Sequence, residues 1–226
     1  MLHVKNSASL SLLSLLILSI ALFSCDDPSE GSGLPFLGPY EVDYDGSKTG
    51  TAGDTLFHII PDFAFINQDS LQITEQDYAG HVYVADFFFT HCPSICPIMT
   101  SQMGRLEAKL KEEGILGDVK LLSHSVDPKR DYPSRLNEYR EMNGITSEHW
   151  NMVTGRPTDL DEQTRYGYLV TAFESDSAAG GFFHTDQFVL IDRDRHIRGY
   201  YDGTSTASVD QLFEDIKKLN QEGNDK

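Results

Sequence analysis

The hydrophobic positions change period along the chain, and each change marks an element. Val82-Tyr83-Val84-Ala85 followed by Phe87-Phe88-Phe89 is an apolar run, β-branched and aromatic, which predicts a buried strand. From Cys96 the period becomes helical, with Met99, Met103, Leu106 and Leu110 three and four residues apart on one face. Gly114 and Gly117 break that pattern, and residues 118–126 predict a second, parallel strand. Pro133 opens a helix through about Glu141, closed by Asn143-Gly144. Residues 150–154 predict a short strand, and residues 158–166 a short helix with Thr158 as its cap. Residues 188–191 and 197–201 flank Asp192-Arg193-Asp194-Arg195 and predict a hairpin. An amphipathic helix follows from about Ser208, apolar at Val209, Leu212, Phe213, Ile216 and Leu219. Ahead of the central strand, residues 58–66 and 71–74 read as strand, turn and short return.

These elements put two cysteines at one strand-to-helix junction. The strand stops at Thr90-His91-Cys92-Pro93, and proline suits a first helical turn because its missing N–H would be unpaired there. Cys92 is therefore expected at the helix mouth and Cys96 one turn in. Side chains four apart share a face, with Cβ atoms about 5–6 Å apart, so both sulfurs are expected to point at one place. The positive end of the helix dipole favours thiolate, the form that attacks and binds metal. A Cα separation of about 6 Å is also within what a disulfide spans. Two convergent thiolates suit Cu(I), or zinc with further ligands.

At this point the chain resembles a known family. Phe88-Phe89-Thr90-His91-Cys92-Pro93-Ser94-Ile95-Cys96-Pro97 is similar to the signature of the SCO/SenC proteins, thioredoxin-fold copper proteins of cytochrome c oxidase assembly. Ser125-Val126-Asp127-Pro128-Lys129-Arg130-Asp131-Tyr132-Pro133 resembles the family's second block, and Val153-Thr154-Gly155 its third. His184-Thr185, followed by Phe188-Val189-Leu190-Ile191-Asp192, resembles the block that carries its metal-binding histidine. Four blocks in the family's order, over roughly residues 60–220, are far more specific than one motif.

The resemblance implies an α/β, thioredoxin-like domain: a central mixed sheet flanked by helices, with a C-terminal hairpin and helix. The element order agrees with it. It further implies one copper ion, Cu(I) or Cu(II), held by Cys92, Cys96 and His184. The cargo is then destined for the CuA site on subunit II of cytochrome c oxidase, or for another exported copper protein. A reading from a different class stays open: a thiol–disulfide oxidoreductase whose Cys92–Cys96 disulfide forms as it reduces the copper-accepting partner. The three-residue spacer departs from Cys-x-x-Cys, but exchange needs only an accessible thiolate and a resolving partner. A redox sensor on the same pair is the blander version.

The front of the chain adds a location. Lys5 precedes an apolar run over residues 10–23, interspersed with serines and shorter than the ~20 residues a spanning helix needs. Residues 1–24 thus read as an export segment. Leu22-Phe23-Ser24-Cys25 resembles a bacterial lipobox, which makes Cys25 a lipidated first residue and holds the domain outside the cytoplasm, at the cell envelope. The three cysteines become one anchor and one pair. Residues 25–53, rich in Gly, Ser, Pro and acidic residues without periodicity, read as a tether to a domain over 54–226. A net charge of −17 argues against nucleic acid as a partner.

Of eight histidines, the family match selects His184. His91 follows its own direction away from Cys92 and is expected in a supporting place; His124, on a core strand, is expected to be a satisfied buried imidazole. His3 leaves with the export segment, and His58, His81, His149 and His196 sit in loop-like or strand-edge contexts. Family members often carry an acidic residue before the histidine, where this chain has Phe183; Asp186 or a backbone carbonyl are the substitutes open to it. Asp127 and Asp131 are expected to shape a turn and a helix start, and Met99 and Met103 to fill core.

Overall fold

The computed structural model describes residues 33–175 and 177–222. Its strands and helices, in chain order, are β1 (Tyr40–Asp43), β2 (Asp54–Phe57), β3 (Ala64–Asn67), β4 (Gln72–Thr74), β5 (Val82–Phe88), α1 (Cys96–Glu113), β6 (Val119–Ser125) and α2 (Pro133–Met142). There follow β7 (Trp150–Thr154), α3 (Pro157–Glu162), β8 (Ala172–Glu174), β9 (Phe182–His184), β10 (Gln187–Ile191), β11 (Ile197–Asp202) and α4 (Thr206–Glu222). Seven strands form one sheet in the order β11-β10-β5-β6-β7-β3-β4, with β5, β6 and β7 parallel and the other pairings antiparallel. This is the thioredoxin-like class expected, with the hairpin β10–β11 and α4 at the C-terminus.

Every residue of β5 is buried, because the strand has helices or packed loops on both faces. Alternation divides the core. Val82, Val84 and Phe88 pack with Met99, Met103, Leu106 and Leu110 of α1, and with Val209, Leu212 and Ile216 of α4. Tyr83, Ala85 and Phe87 face the other way, toward Phe63, Phe65, Leu160 and Tyr168. Met99 and Met103 are fully buried, as their place on the stripe requires.

Some boundaries differ from the periodic reading. The strand expected from residue 58 begins only at Ala64, since Ile60 N–H is spent on the Arg195 carbonyl across a loop. Helix α3 starts at Pro157 with Arg156 before it; the Thr158 hydroxyl bonds Asp159 instead of capping. It then widens into a π turn, Gln163–Gly167. The stretch expected as a tether is folded where it is described, from about Leu34 on. There β1 pairs with β2, Leu37 bridges Ile197, and Arg198 donates to the Leu34 and Pro35 carbonyls with its guanidinium 4.2 Å from the Phe36 ring centre. Four-residue, half-exposed strands held by long-range contacts leave no periodicity to read. Cys25 and the export segment lie outside the described residues, among which no helix is long and apolar enough to cross a membrane.

Candidate metal centre

Helix α1 begins one turn later than the proline at 93 suggested. Cys96 is its first residue, Pro97 occupies the first turn, and Ile95 precedes it. Cys92 lies outside the helix, in a turn closed by its own N–H to the Phe89 carbonyl at 3.1 Å. The two cysteines therefore do not share a helix face. They converge because that turn folds Cys92 back over the helix start, where the N–H of Cys96 faces the Cys92 sulfur.

His184 arrives from the other side of β5. It ends β9, which pairs only with β8 (Ala172 opposite His184) in a separate two-stranded sheet, a hairpin that the periodic reading missed. Two residues later β10 pairs antiparallel with β5, Val189 opposite Ala85. Continuing that register backward brings His184 out beside the end of β5, where the cysteine turn begins. Its ring meets Phe89 edge-on at 5.6 Å.

The result is a compact cluster. Cys92 Sγ, Cys96 Sγ and a His184 ring nitrogen lie within 4.8 Å of one another, and all three residues are buried. Among the described residues it is the one such gathering of His, Cys or acidic side chains. Both cysteines are free thiols. His184 Nε2 is 3.2 Å from Cys96 Sγ, and Nδ1 is 2.8 Å from the Thr185 carbonyl. A carbonyl can only accept, so Nδ1–H donates to it and the ring is held with Nε2 toward the sulfurs. The Thr185 carbonyl thus orients the ring; Phe183 points out and stacks on Phe173 at 5.4 Å.

The two thiols are set apart electrostatically. Burial pushes Cys92 up, but hydrogen bonds with His184, with the side chain and N–H of Cys96, and with Ser94 outweigh it and bring Cys92 down to about 6. Burial pushes Cys96 well up, and its hydrogen bond to Cys92 adds to that. One thiolate at the mouth beside one thiol below it is the state near neutrality. Since Cys92 is an acid made stronger by folding, its contribution to stability is present above pH 9 and lost as pH falls toward 6. Alkylation of the reduced, metal-free protein should accordingly switch on near pH 6 and fall on Cys92, read by peptide mapping; a midpoint near 9 would contradict this geometry.

The other candidates take supporting places. Asp131 is fully buried and accepts from Thr90 N–H (3.1 Å), the Thr90 hydroxyl (2.6 Å) and the Ser125 hydroxyl (2.7 Å), pinning the end of β5. Asp127 pairs with Arg130. His91 is exposed, with Nδ1 3.0 Å from the Thr90 hydroxyl, and its ring is no part of the cluster. His124 is buried against Phe87, 3.1 Å from the Tyr168 hydroxyl, and burial lowers it to about 3. His58, His81 and His196 donate to backbone carbonyls. Two thiol sulfurs and one imidazole nitrogen, all on buried residues beside Phe89 and the start of helix α1, form a soft three-donor set that fits Cu(I).

Known proteins resemble this chain in sequence and in fold. A solved SCO1/SenC family lipoprotein from Bacillus anthracis is 32% identical, covering 72% of this chain and 95% of its own, with a TM-score of 0.67. BsSco, described as a member of the Sco family of cytochrome c oxidase assembly proteins with a disulfide switch, is 29% identical over 72% of this chain and 94% of its own, TM-score 0.65. ScoI of Arabidopsis thaliana, solved with copper bound, is 27% identical over 72% and 99%, TM-score 0.60. The SCO1/SenC family model matches residues 52–221, so this chain belongs to the SCO1/SenC family.

Proposed function

We propose that this chain is a copper carrier for the assembly of cytochrome c oxidase, with Cys92, Cys96 and His184 as the ligands of its cargo and Cys25 as its lipid anchor. The observation that carries the reading is the convergence of two sulfurs and an imidazole nitrogen within 4.8 Å of one another on three buried residues. The relatives support it by what is said of them: copper bound in one, oxidase assembly in another, a lipoprotein in a third. Cys92 is the more exposed of the two cysteines, 9% against 1% for Cys96. An acceptor's thiolate reaches the metal most directly from that side and passes it on by ligand exchange. The CuA centre of subunit II is the acceptor this reading favours, because a soft donor set hands Cu(I) most easily to other thiolates.

One observation keeps the oxidoreductase in view. A thiolate on the more exposed cysteine beside a second thiol is also what disulfide exchange requires. Both readings are tested in cells deleted for this gene, by following the CuA signal of the oxidase. The full chain should restore it and Cys92→Ser should not; Cys25→Ser should lose its lipid label and restore it poorly. Full restoration by Cys92→Ser defeats the carrier and the reductase alike, and an unlabelled wild-type chain defeats the anchor.

A further inference from the structure

The ligand histidine rides on an element that the main sheet does not hold. Strands β8 and β9 pair with each other and with no strand of the seven-stranded sheet. Beside the hairpin lies a cleft of about 160 Å3, lined by Val126, Pro157, Leu160, Ala172, Phe173 and Phe182. The Nδ1 bond of His184 goes to the next residue in its own chain and fixes the ring, not the hairpin. Something else must seat the hairpin against the cysteine turn.

The residues that do so come from the turn after β6. Asp127, whose side chain is 2% exposed, accepts from Arg130 Nε and fixes the guanidinium. Arg130 Nη2 donates to the Gly180 carbonyl at 2.7 Å, at the tip of the hairpin. The same guanidinium lies 5.9 Å from the ring centres of both Phe89, which precedes the cysteine turn, and Phe182, which opens β9. Phe89 and Phe182 are themselves 5.6 Å apart. At the far end of the turn Asp131 holds Thr90. One five-residue turn therefore grips the cysteine side at Asp131 and the histidine side at Arg130.

The hairpin tip has no slack for another seat. Gly180 has φ +79°, and a Cβ there would come within 2.7 Å of Phe89 Cε2 and 3.3 Å of Pro93 Cδ. The neighbouring ion pair Lys129–Glu174, at 3.5 Å with both side chains about two-thirds exposed, adds little. Charge alone does not explain Arg130. Asp127 could be neutralised by any cation, but only a planar fork can bond Asp127 through Nε, reach the Gly180 carbonyl through Nη2 and lie near two rings.

We propose that Arg130 is a positioning residue for the metal centre: it clips the β8–β9 hairpin onto the cysteine turn and so sets where His184 Nε2 meets the two sulfurs. The metal arm of the test rests on the copper reading above; the metal-free arm does not. The metal-free arm compares hydrogen exchange of the reduced protein with that of Arg130→Ala, Arg130→Lys, Gly180→Ala and Lys129→Ala. Amides of residues 172–184 should exchange at least about tenfold faster in the first three, with β5 and β10 unchanged, and as in wild type in Lys129→Ala. Arg130→Lys should recover thermal stability, because Asp127 regains a cation, without recovering hairpin protection.

In the metal arm, loss of an orienting contact of this kind costs about 10–100-fold in affinity. Cu(II) affinity should fall by that factor in Arg130→Ala and Gly180→Ala, with the imidazole nitrogen coupling weakened in the paramagnetic resonance spectrum. Cu(I) should be held nearly as well as before. Wild-type hairpin exchange in Arg130→Ala overturns the proposal, as does full rescue of hairpin protection and nitrogen coupling by lysine. If wild type itself takes no copper, the carrier reading falls, while hydrogen exchange still decides the clip.

Discussion

Cys92→Ala and Cys96→Ala should each abolish stoichiometric copper uptake by the reduced protein. The cluster offers two sulfurs and one nitrogen, so either change leaves a two-donor site with one thiolate. Removing a mere orienting partner of a ligand costs about 10–100-fold in metal affinity; removing a ligand itself should exceed the upper figure. The two variants fail for different reasons. Cys92 carries the low thiol at the mouth, so its loss removes the sulfur that is already ionised when metal arrives. Cys96 is 1% exposed and held protonated by burial, so its loss removes the inner sulfur that gives up a proton as the metal settles. Oxidation of the wild-type pair to a disulfide should block uptake equally, since no thiolate remains. Metal analysis under strict reduction, with one copper per wild-type chain as reference, checks all three. A Cys92→Ala/Cys96→Ala double variant that still takes up one copper would falsify the metal centre.

What could be read in the sequence was whatever is local and periodic. The run at β5, the methionine and leucine stripe of α1, the hairpin β10–β11 and the apolar face of α4 each declare themselves within a few residues, and the structure has them where the pattern puts them. The cysteine pair and His184 were legible through motif blocks, because those blocks are contiguous. What was not legible depends on distant partners. Cys92 looks like a helical residue because Pro93 follows it, yet the turn made by its N–H to Phe89 keeps it outside α1. The segment around Phe36 looks like a linker because its reasons for folding, Arg198 and Phe57, lie far along the chain. The β8–β9 hairpin has three-residue strands with exposed Phe173 and Phe183, and its buried positions are Ala172 and His184, so no apolar alternation marks it. The Thr185 carbonyl that orients His184 carries no side-chain signal at all.

His184→Ala should separate carriage from thiol exchange, provided the measurement is made at two pH values. In the metal centre the imidazole is one donor of three. Cu(II), which prefers nitrogen and oxygen, should lose affinity by about a hundredfold or more, and Cu(I) much less, because two thiolates alone can hold it. Thiol chemistry should respond as well, because Nε2 sits 3.2 Å from Cys96 Sγ. Burial raises Cys92, and His184 is the first of the contacts that lower it, so truncation lets the thiol climb from about 6 back toward 9. Near pH 7 that change cuts the thiolate fraction and slows exchange, offset in part by the greater nucleophilicity of a more basic thiolate. Above pH 9 the thiolate is fully formed in both proteins, so exchange with a model disulfide should match or exceed wild type, whereas the Cu(II) defect persists. A carrier thus loses oxidase maturation with His184→Ala although its thiols still exchange at high pH. Maturation that survives His184→Ala and fails in Cys92→Ala would instead assign the pair to reduction of the partner's cysteines.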